Sequence, residues 1–573
     1  MSAYNRSFLC STDTAGNVTY TVKTGALCLF LLLQEGEEMV QFDSLYYPYP
    51  SRRMVTYANR GMVATSQSLA AQAGLEMLKR DGNAIDAAIA TAAALTVLEP
   101  TSNGLGGDAF AIVYSGGQLH GLNSSGPAPL GLTAEQVRAK GHDKMPELGW
   151  FPVTVPGAVA GWAALWRKFG SLPFAELLEP AISYAEEGYP VSPVLSAGWS
   201  AAYRRYSKEN DKLFEEWFRV FAPNGRPPRC GEVWRSQDHA RTLRLIAETE
   251  GEAFYRGEIA EKIGRYSEET GGFLRSSDLA RFESQWVEPL SVRYHGYDVW
   301  ELPPNGQGLV ALIALGILDA WEFFHKEDVE TYHRQIEAMK QAMTVAGEVI
   351  TDPEYMRLDP EVLLSSDYLT QLRSRIGDTA SEPVALIPED HGTVYLAAAD
   401  QYGNMISFIQ SNYMGFGSGI VVPGTGIALQ NRGNGFSLDP EAVNYLEPGK
   451  RSYHTIIPGF LTKDGKPIGP FGVMGGYMQP QGHLQVMMNT IDFGLNPQAA
   501  LDAPRWQWMR DNTVELEQTV PDHIKAALVR KGHKVTIPVS SVGFGRGQII
   551  WRDAQGVLAG GTEPRADGTV AAW

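Results

Sequence analysis

His391-Gly392-Thr393-Val394-Tyr395-Leu396-Ala397-Ala398-Ala399-Asp400, continued by Gln401-Tyr402-Gly403-Asn404, is the stretch on which the reading of this chain turns. A threonine opens an apolar run, an acidic turn closes it and a glycine-containing segment follows. The pattern suits a chain that cuts itself between Gly392 and Thr393. Thr393 then carries both a hydroxyl and a free α-amine. A threonine hydroxyl is a poor nucleophile near neutral pH and needs a base beside it. An α-amine, with an ordinary pKa of about 7.7–8.0, accepts protons close to the optimum for general-base work. One residue then supplies both parts, with no His or Asp partner. Taken alone, the same residues also fit a plain strand, which threonine favours.

Composition narrows the classes. The formal net charge of -17 argues against nucleic acid as a partner, and 44% hydrophobic residues supply a sizeable core. Length alone would allow three or four domains, although large hydrolases use such a length for one body. Cys10, Cys28 and Cys230 form neither a disulfide framework nor a metal-ligand spacing. They point to a reducing, cytoplasmic setting. No metal, cofactor or membrane is expected. The apolar run 26–33 is too short for a bilayer, which needs ~20 residues. Gln34-Glu35-Gly36-Glu37-Glu38 follows it, where a signal peptide would place small residues. Glu-Gly-Glu-Glu can be encoded by codons resembling a ribosome-binding site, directly before Met39. Residues 1–38 are therefore expected to be a spurious or disordered extension, with Met39 the true start.

Periodicity gives the elements. A strand at 61–66 leads into a helix over 69–80, capped by Ser66 or Ser68. Asn83 starts a helix over 84–98 that is apolar nearly all round and therefore buried. Ser102 to Asp108 is a Gly-rich turn before a strand at 109–114. It lacks the residues of a phosphate loop and suits close backbone approach. The span 173–282 reads as helical and peripheral. Strands at 289–302, helices at 309–318 and 330–349, and an exposed acidic connector at 372–390 complete the first part. After Thr393 the period becomes two, with strands at 394–399, 405–409, 426–429, 455–462 and 467–473, and helices at 481–490 and 524–531. Helices, then strands, then helices suggest two sheets between helical layers.

Four groups of residues, in this order, resemble the γ-glutamyltransferase family of N-terminal-nucleophile hydrolases. They are Gly82-Asn83-Ala84-Ile85-Asp86-Ala87-Ala88; Gly104-Leu105-Gly106-Gly107; Thr393 with Asp400, Gly403-Asn404 and Gly415-Phe416-Gly417-Ser418-Gly419; and Gly475-Gly476 with Gln485-Val486-Met487-Met488-Asn489. The resemblance implies an α+β, four-layer αββα sandwich made as one precursor. Residues 39–392 become the large subunit and 393–573 the small catalytic subunit, and the two fragments stay associated. It further implies an acyl-enzyme on Thr393, an oxyanion held by the backbone N–H groups of Gly475 and Gly476, and a supporting hydroxyl on Ser411. Removing one oxyanion donor costs about 2.7–4 kcal/mol. Without the family, Gly475-Gly476 reads as a tight turn and Ser411 as a strand hydroxyl.

The recognition residues depart from the family's glutamyl transferases. Ser125 stands near the expected arginine, Gly435 opposite the expected aspartate, and His454-Thr455 replace paired serines. The lid segment, 437–449, is shorter. Arg432 and His454 are instead placed to grip a carboxylate, Arg by a two-point fork, with Tyr413 and Tyr477 narrowing the pocket. Read alone, Arg432 fits a structural ion pair and His454 a satisfied strand histidine. Asn305-Gly306-Gln307-Gly308, Asn412-Tyr413-Met414-Gly415 and Gly475-Gly476-Tyr477-Met478-Gln479-Pro480 look like the branch containing oxamate amidohydrolase and glutathione hydrolase-like bacterial proteins. The expectation is hydrolysis of a small carboxylate-bearing amide such as oxamate, with γ-glutamyl amides the alternative. A non-catalytic scaffold keeping the fold is the alternative from another class. A serine or metal hydrolase is disfavoured, since neither G-x-S-x-G nor H-E-x-x-H occurs. The sequence carries no sign of the oligomeric state.

Overall fold

The computed structural model describes residues 9–12, 18–21, 49, 53–209, 211–382 and 392–573. The apolar run 26–33, Met39 and the connector residues 383–391 lie outside them. The chain divides into Met1–Met39 and Val40–Trp573. In the first unit Leu9–Thr12 pairs antiparallel with Val18–Thr21.

The second unit is built on two antiparallel seven-stranded sheets. The strands of these two sheets that precede the connector are β1 (Thr56–Ala58), β2 (Gly61–Thr65), β3 (Asp108–Ser115), β4 (Gln118–Ser124), β5 (Gln285–Val287), β6 (Leu290–Tyr294) and β7 (Tyr297–Glu301). After the connector come β8 (Gly392–Asp400), β9 (Met405–Tyr413), β10 (Gly459–Lys463), β11 (Lys466–Met474), β12 (Arg546–Arg552), β13 (Leu558–Thr562) and β14 (Thr569–Ala572). One sheet runs β6-β7-β10-β11-β12-β13-β1 and the other β14-β2-β8-β9-β3-β4-β5.

The period of two in β8 explains why the sheets stack. Tyr395, Ala397 and Ala399 pack between the sheets against Phe110, Ile112, Phe460 and Ile550. Val394, Leu396 and Ala398 point the other way, into a core shared with the helices Ser68–Lys79 and Ala84–Leu98. All fifteen residues of Ala84–Leu98 are buried, as an all-apolar helix requires. On the far side the equally buried helix Gly308–Leu318 packs on β6, and Met478–Ile491 packs on β11. This is the expected αββα sandwich.

Two of the sequence groups meet at one corner. Asn83 caps its helix through a capping box with Asp86. Asp400 accepts from the Ala84 N–H at 2.9 Å and from the Tyr402 and Asn404 N–H groups of the following turn.

Several expectations need correcting. The helix Ser68–Lys79 is entered through Gln67, without a side-chain cap; Ser66 instead donates to buried Glu99 at 2.5 Å. Residues 426–429 form isolated bridges only, Val421 with Ala428 and Gly106 with Leu429. Positive φ at Gly424 and Gly426 breaks the extended run. The strand expected over 455–462 begins at Gly459, beyond Pro458, which has no donor for the ladder. The span 173–282 is not merely peripheral: Trp199, Trp217 and Phe221 pack around Phe416 with centroids 4.6–5.7 Å away. The described part of the connector is largely exposed, as expected, and is tied down where the Ala380 N–H donates to the Lys531 carbonyl at 2.7 Å.

Candidate active site

The site sits where β8 and β9 end side by side. A bulge between Gly392 and Val394 interrupts the ladder at Thr393, which is 1% exposed. The Thr393 and Ser411 hydroxyl oxygens are 3.0 Å apart. Ser411 donates to the Gly392 carbonyl at 2.8 Å and accepts from the Tyr413 N–H at 2.8 Å. Ser411 has one proton, and the carbonyl takes it. Thr393 is therefore the donor in the Thr393–Ser411 contact. The carbonyl of the Gly392–Thr393 peptide is thus polarised by one hydroxyl while the next residue's hydroxyl lies beside it. What this arrangement can do is an N→O acyl shift, in which the Thr393 oxygen attacks the carbon that precedes it.

Gly392 has little room to be anything else. A Cβ there would lie 2.8 Å from the Gly415 nitrogen and 3.0 Å from the Thr101 oxygen. Both are backbone atoms, so neither can swing aside.

Gly475 and Gly476, with φ of +142° and +59°, form the turn before the helix Met478–Ile491. Gln307 fixes this turn. Its side-chain nitrogen donates to the Gly476 and Thr455 carbonyls, both at 2.7 Å, and its oxygen accepts from Tyr453 at 3.0 Å. The Tyr453 ring stacks on Tyr477 with centroids 5.8 Å apart.

Arg432 is 1% exposed. Its Nη1 donates to the Thr455 hydroxyl at 2.8 Å, and the guanidinium lies 4.0 Å over the Tyr413 ring. Tyr413 itself is held at φ +75°. Among the described residues Nε and Nη2 of Arg432 have no hydrogen-bond partner. These two nitrogens share one edge of the guanidinium, the edge that grips a carboxylate by two parallel bonds. Leaving a buried donor unmet costs about 1–3 kcal/mol, so a site that keeps two such donors is built for an anion. Burial lowers the Arg432 pKa to about 10, against the pull of Tyr413 and Asp108.

Asp108 is the residue that sequence reasoning passed over, quoted only as the end of a glycine turn. It lies on β3 opposite Ser411 of β9. Its carboxylate accepts from the Gln430 side chain at 2.9 Å, from the Gly157 and Gly126 N–H groups at 3.1 and 3.2 Å, and from His454 at 3.1 Å. Burial raises its pKa to about 7, with Arg432 opposing. Because the His454 Nδ1 accepts the Ile456 N–H, its Nε2 carries the proton donated to Asp108. Burial first, and Arg432 second, hold His454 neutral. The geometry thus gives His454 and Thr455 another part from the direct substrate contact expected of them: His454 steadies Asp108 and Thr455 orients Arg432. Gln307 was likewise missed. For Asp108 the hint in the sequence was the glycine turn it closes; Gln307 stood in the quoted Asn305-Gly306-Gln307-Gly308 motif, without a role assigned to it.

Among the described residues one trio of potential metal ligands converges: His333, Glu337 and His533. Its carboxylate is already filled. Lys340 sits 2.7 Å from one oxygen, and the Ser381 N–H and hydroxyl donate to the other. His333 accepts from His533 at 2.9 Å and donates to the Gly377 carbonyl. The cluster is a buried ion pair with a lysine where a dication would sit. No helix of the described residues is long and apolar enough to cross a membrane.

A threonine hydroxyl set against the carbonyl that precedes it, at the end of a strand in a two-sheet core, is the arrangement of the N-terminal-nucleophile hydrolases. Residues 70–573 match the family model described as Gamma-glutamyltranspeptidase. The chain is 36% identical to the Glutathione hydrolase-like YwrD proenzyme of Bacillus subtilis (strain 168), over 88% of this chain and 97% of that one. It is 34% identical to the Oxamate amidohydrolase proenzyme of Klebsiella pneumoniae, over 90% and 99%. The crystal structure of cephalosporin acylase from Bacillus halodurans superposes with a TM-score of 0.89 at 63% identity, covering 93% of this chain and 99% of that one. The chain belongs to the γ-glutamyltranspeptidase family and is an autoprocessing amidohydrolase made as a proenzyme.

Proposed function

We propose that the chain cleaves itself between Gly392 and Thr393 and then hydrolyses amides whose acyl group ends in a free carboxylate, with γ-glutamyl amides such as glutathione ahead of oxamate. The observation that carries the reading is the unpartnered Nε–Nη2 edge of buried Arg432. The family description and the glutathione hydrolase-like relative favour the γ-glutamyl acyl group. This reverses the order expected from the missing arginine near Ser125. The oxamate amidohydrolase relative keeps oxamate as the second reading.

In this mechanism Ser411 polarises the Gly392 carbonyl and Thr393 attacks it. The C–N bond breaks as the ester forms, which frees the Thr393 amine; water then cleaves the ester, restoring the Thr393 hydroxyl and leaving Gly392 as a carboxylate. In turnover that amine takes the hydroxyl proton, the oxygen forms an acyl-enzyme, and the N–H groups of Gly475 and Gly476 receive the oxyanion. Tyr413 and Tyr477 wall the acyl group while Arg432 holds its carboxylate. The fragments stay joined because β8 and β9 lie between β2 and β3. We keep the cytoplasmic setting suggested by the sparse cysteines.

Assay of purified protein on a γ-glutamyl anilide and on oxamate tests the ordering. Arg432→Ala raises KM by about 10–100-fold, the worth of a charge-assisted contact, and spares scission. An unchanged KM removes the assigned role.

A further inference from the structure

Tyr413 sits at φ +75°, a backbone region that a bulky side chain rarely enters. Gly415, Gly417 and Gly419 take positive φ in the same loop. Where the loop needs only the backbone shape, it uses glycine. At position 413 it keeps a tyrosine, so the strained residue must be held.

Asn431 holds it. The Asn431 N–H donates to the Asn412 carbonyl at 3.3 Å, and its side-chain oxygen accepts from the Met414 N–H at 3.1 Å. These two peptide groups flank Tyr413, and their relative orientation is what φ and ψ of Tyr413 describe. The Asn431 side-chain nitrogen is itself fixed, donating to the Glu147 carbonyl at 2.9 Å. Asn431 is fully buried. We propose that Asn431 is a positioning residue that acts through Tyr413 on both scission and substrate binding.

The proposal rests on the assigned roles of Ser411 and Arg432, and Tyr413 touches both. Its N–H donates to the Ser411 hydroxyl oxygen at 2.8 Å, which leaves the Ser411 proton for the Gly392 carbonyl. Its ring lies 4.0 Å from the Arg432 guanidinium. A return of Tyr413 to negative φ turns that N–H away from Ser411 and carries the ring off Arg432. Asn431 precedes Arg432 in the chain, so one short segment supplies the clamp and the brace.

The test is a double-mutant cycle on Asn431→Ala and Tyr413→Gly. Scission of fresh precursor is followed on gels, and KM is measured on matured protein with a γ-glutamyl anilide. Glycine takes positive φ without a steric penalty, so Tyr413→Gly removes the need for the brace and keeps the N–H that serves Ser411. Asn431→Ala alone should slow scission by about tenfold or more, the weight of one residue leaving a strained backbone region. It should raise KM by about threefold or more, the worth of the ring on Arg432. In the Tyr413→Gly background the same substitution should change either reading by no more than about twofold. Equal effects in both backgrounds overturn the proposal, as does an Asn431→Ala variant with native scission or native KM. If Asn431→Ala alone is insoluble, recovery of soluble, cut protein on adding Tyr413→Gly sustains the proposal and continued insolubility ends it. If scission proceeds but the anilide is not turned over, the acyl-group reading has failed, and scission alone decides. A native chain that never cuts fails the scission reading instead. Urea midpoints then decide the brace: Tyr413→Gly should recover stability lost in Asn431→Ala, and additive losses end the proposal.

Discussion

At Thr393 a single hydroxyl proton orders the chemistry, because Ser411 has already spent its own on the Gly392 carbonyl. Ser411→Ala removes that polarisation and should slow scission by about 10²–10³-fold, by analogy with loss of one oxyanion donor; a gel time course of fresh precursor measures it. Gly392→Ala should block scission through its clash with Thr101 and Gly415. Co-expressed fragments 39–392 and 393–573 should still hydrolyse substrate, and their inactivity would move the requirement from cutting to folding. Asp108 supplies a pH dependence. As the pH rises through about 7 its carboxyl ionises and offsets part of the Arg432 charge. The substrate carboxylate then binds less well, so KM climbs with pH, while kcat follows the Thr393 amine separately. Asp108→Asn should flatten the KM profile.

The elements around the site are set by caps and turns that tie distant segments together. Asn83 caps the buried helix whose first N–H, that of Ala84, donates to Asp400 at the end of β8. Asn83→Ala should destabilise by about 1 kcal/mol, the usual worth of such a cap, with no change in scission. A loss several times larger in urea unfolding would mean that the corner, rather than the cap, has been broken. Glutamines act at the same scale. Gln307 joins the turn at Gly476 to the segment carrying Thr455, so the Gly475-Gly476 turn and the partner of Arg432 are set by one amide.

For the whole molecule, the interleaving of β2, β8, β9 and β3 predicts two bands on a denaturing gel but one species by size exclusion. Fragments that part in native buffer would contradict it. The His333–His533 pair gives stability its own pH limit. Burial, with Lys340, His333 and Lys531 adding to it, lowers His533 to about 3, and burial also lowers His333. Glu337 faces the pair, and Glu330 joins through Lys531. Above the unfolded value of about 6.5 neither state binds the proton. As the pH falls below it, the unfolded chain gains protons that the folded one refuses. Stability should drop by about 1.4 kcal/mol per pH unit on account of His533, and His333 adds to the fall in the same direction. Urea midpoints at pH 7.5 and 5.5 check this, and His533→Gln should reduce the slope.

The alternation after Thr393, the cap at Asn83 and the all-apolar helices were legible in the sequence because each is a local pattern with one good solution. Those patterns were enough for two sheets between helices and for the threonine second in β8. Strands β12 to β14 were not legible. Leu558-Ala559-Gly560-Gly561-Thr562 has little preference for extended structure, and only pairing with neighbours makes it a strand. The bonding of Asp108 and of Gln307 also emerges from tertiary structure alone. Each depends on atoms brought together from parts of the chain far apart, and hydrogen bonding, burial and free volume are properties of that assembly. The sequence determined which hydroxyl follows Gly392 at the start of the apolar strand; the packed molecule decided what surrounds it, because a residue's partners are set by distance in space and not along the chain.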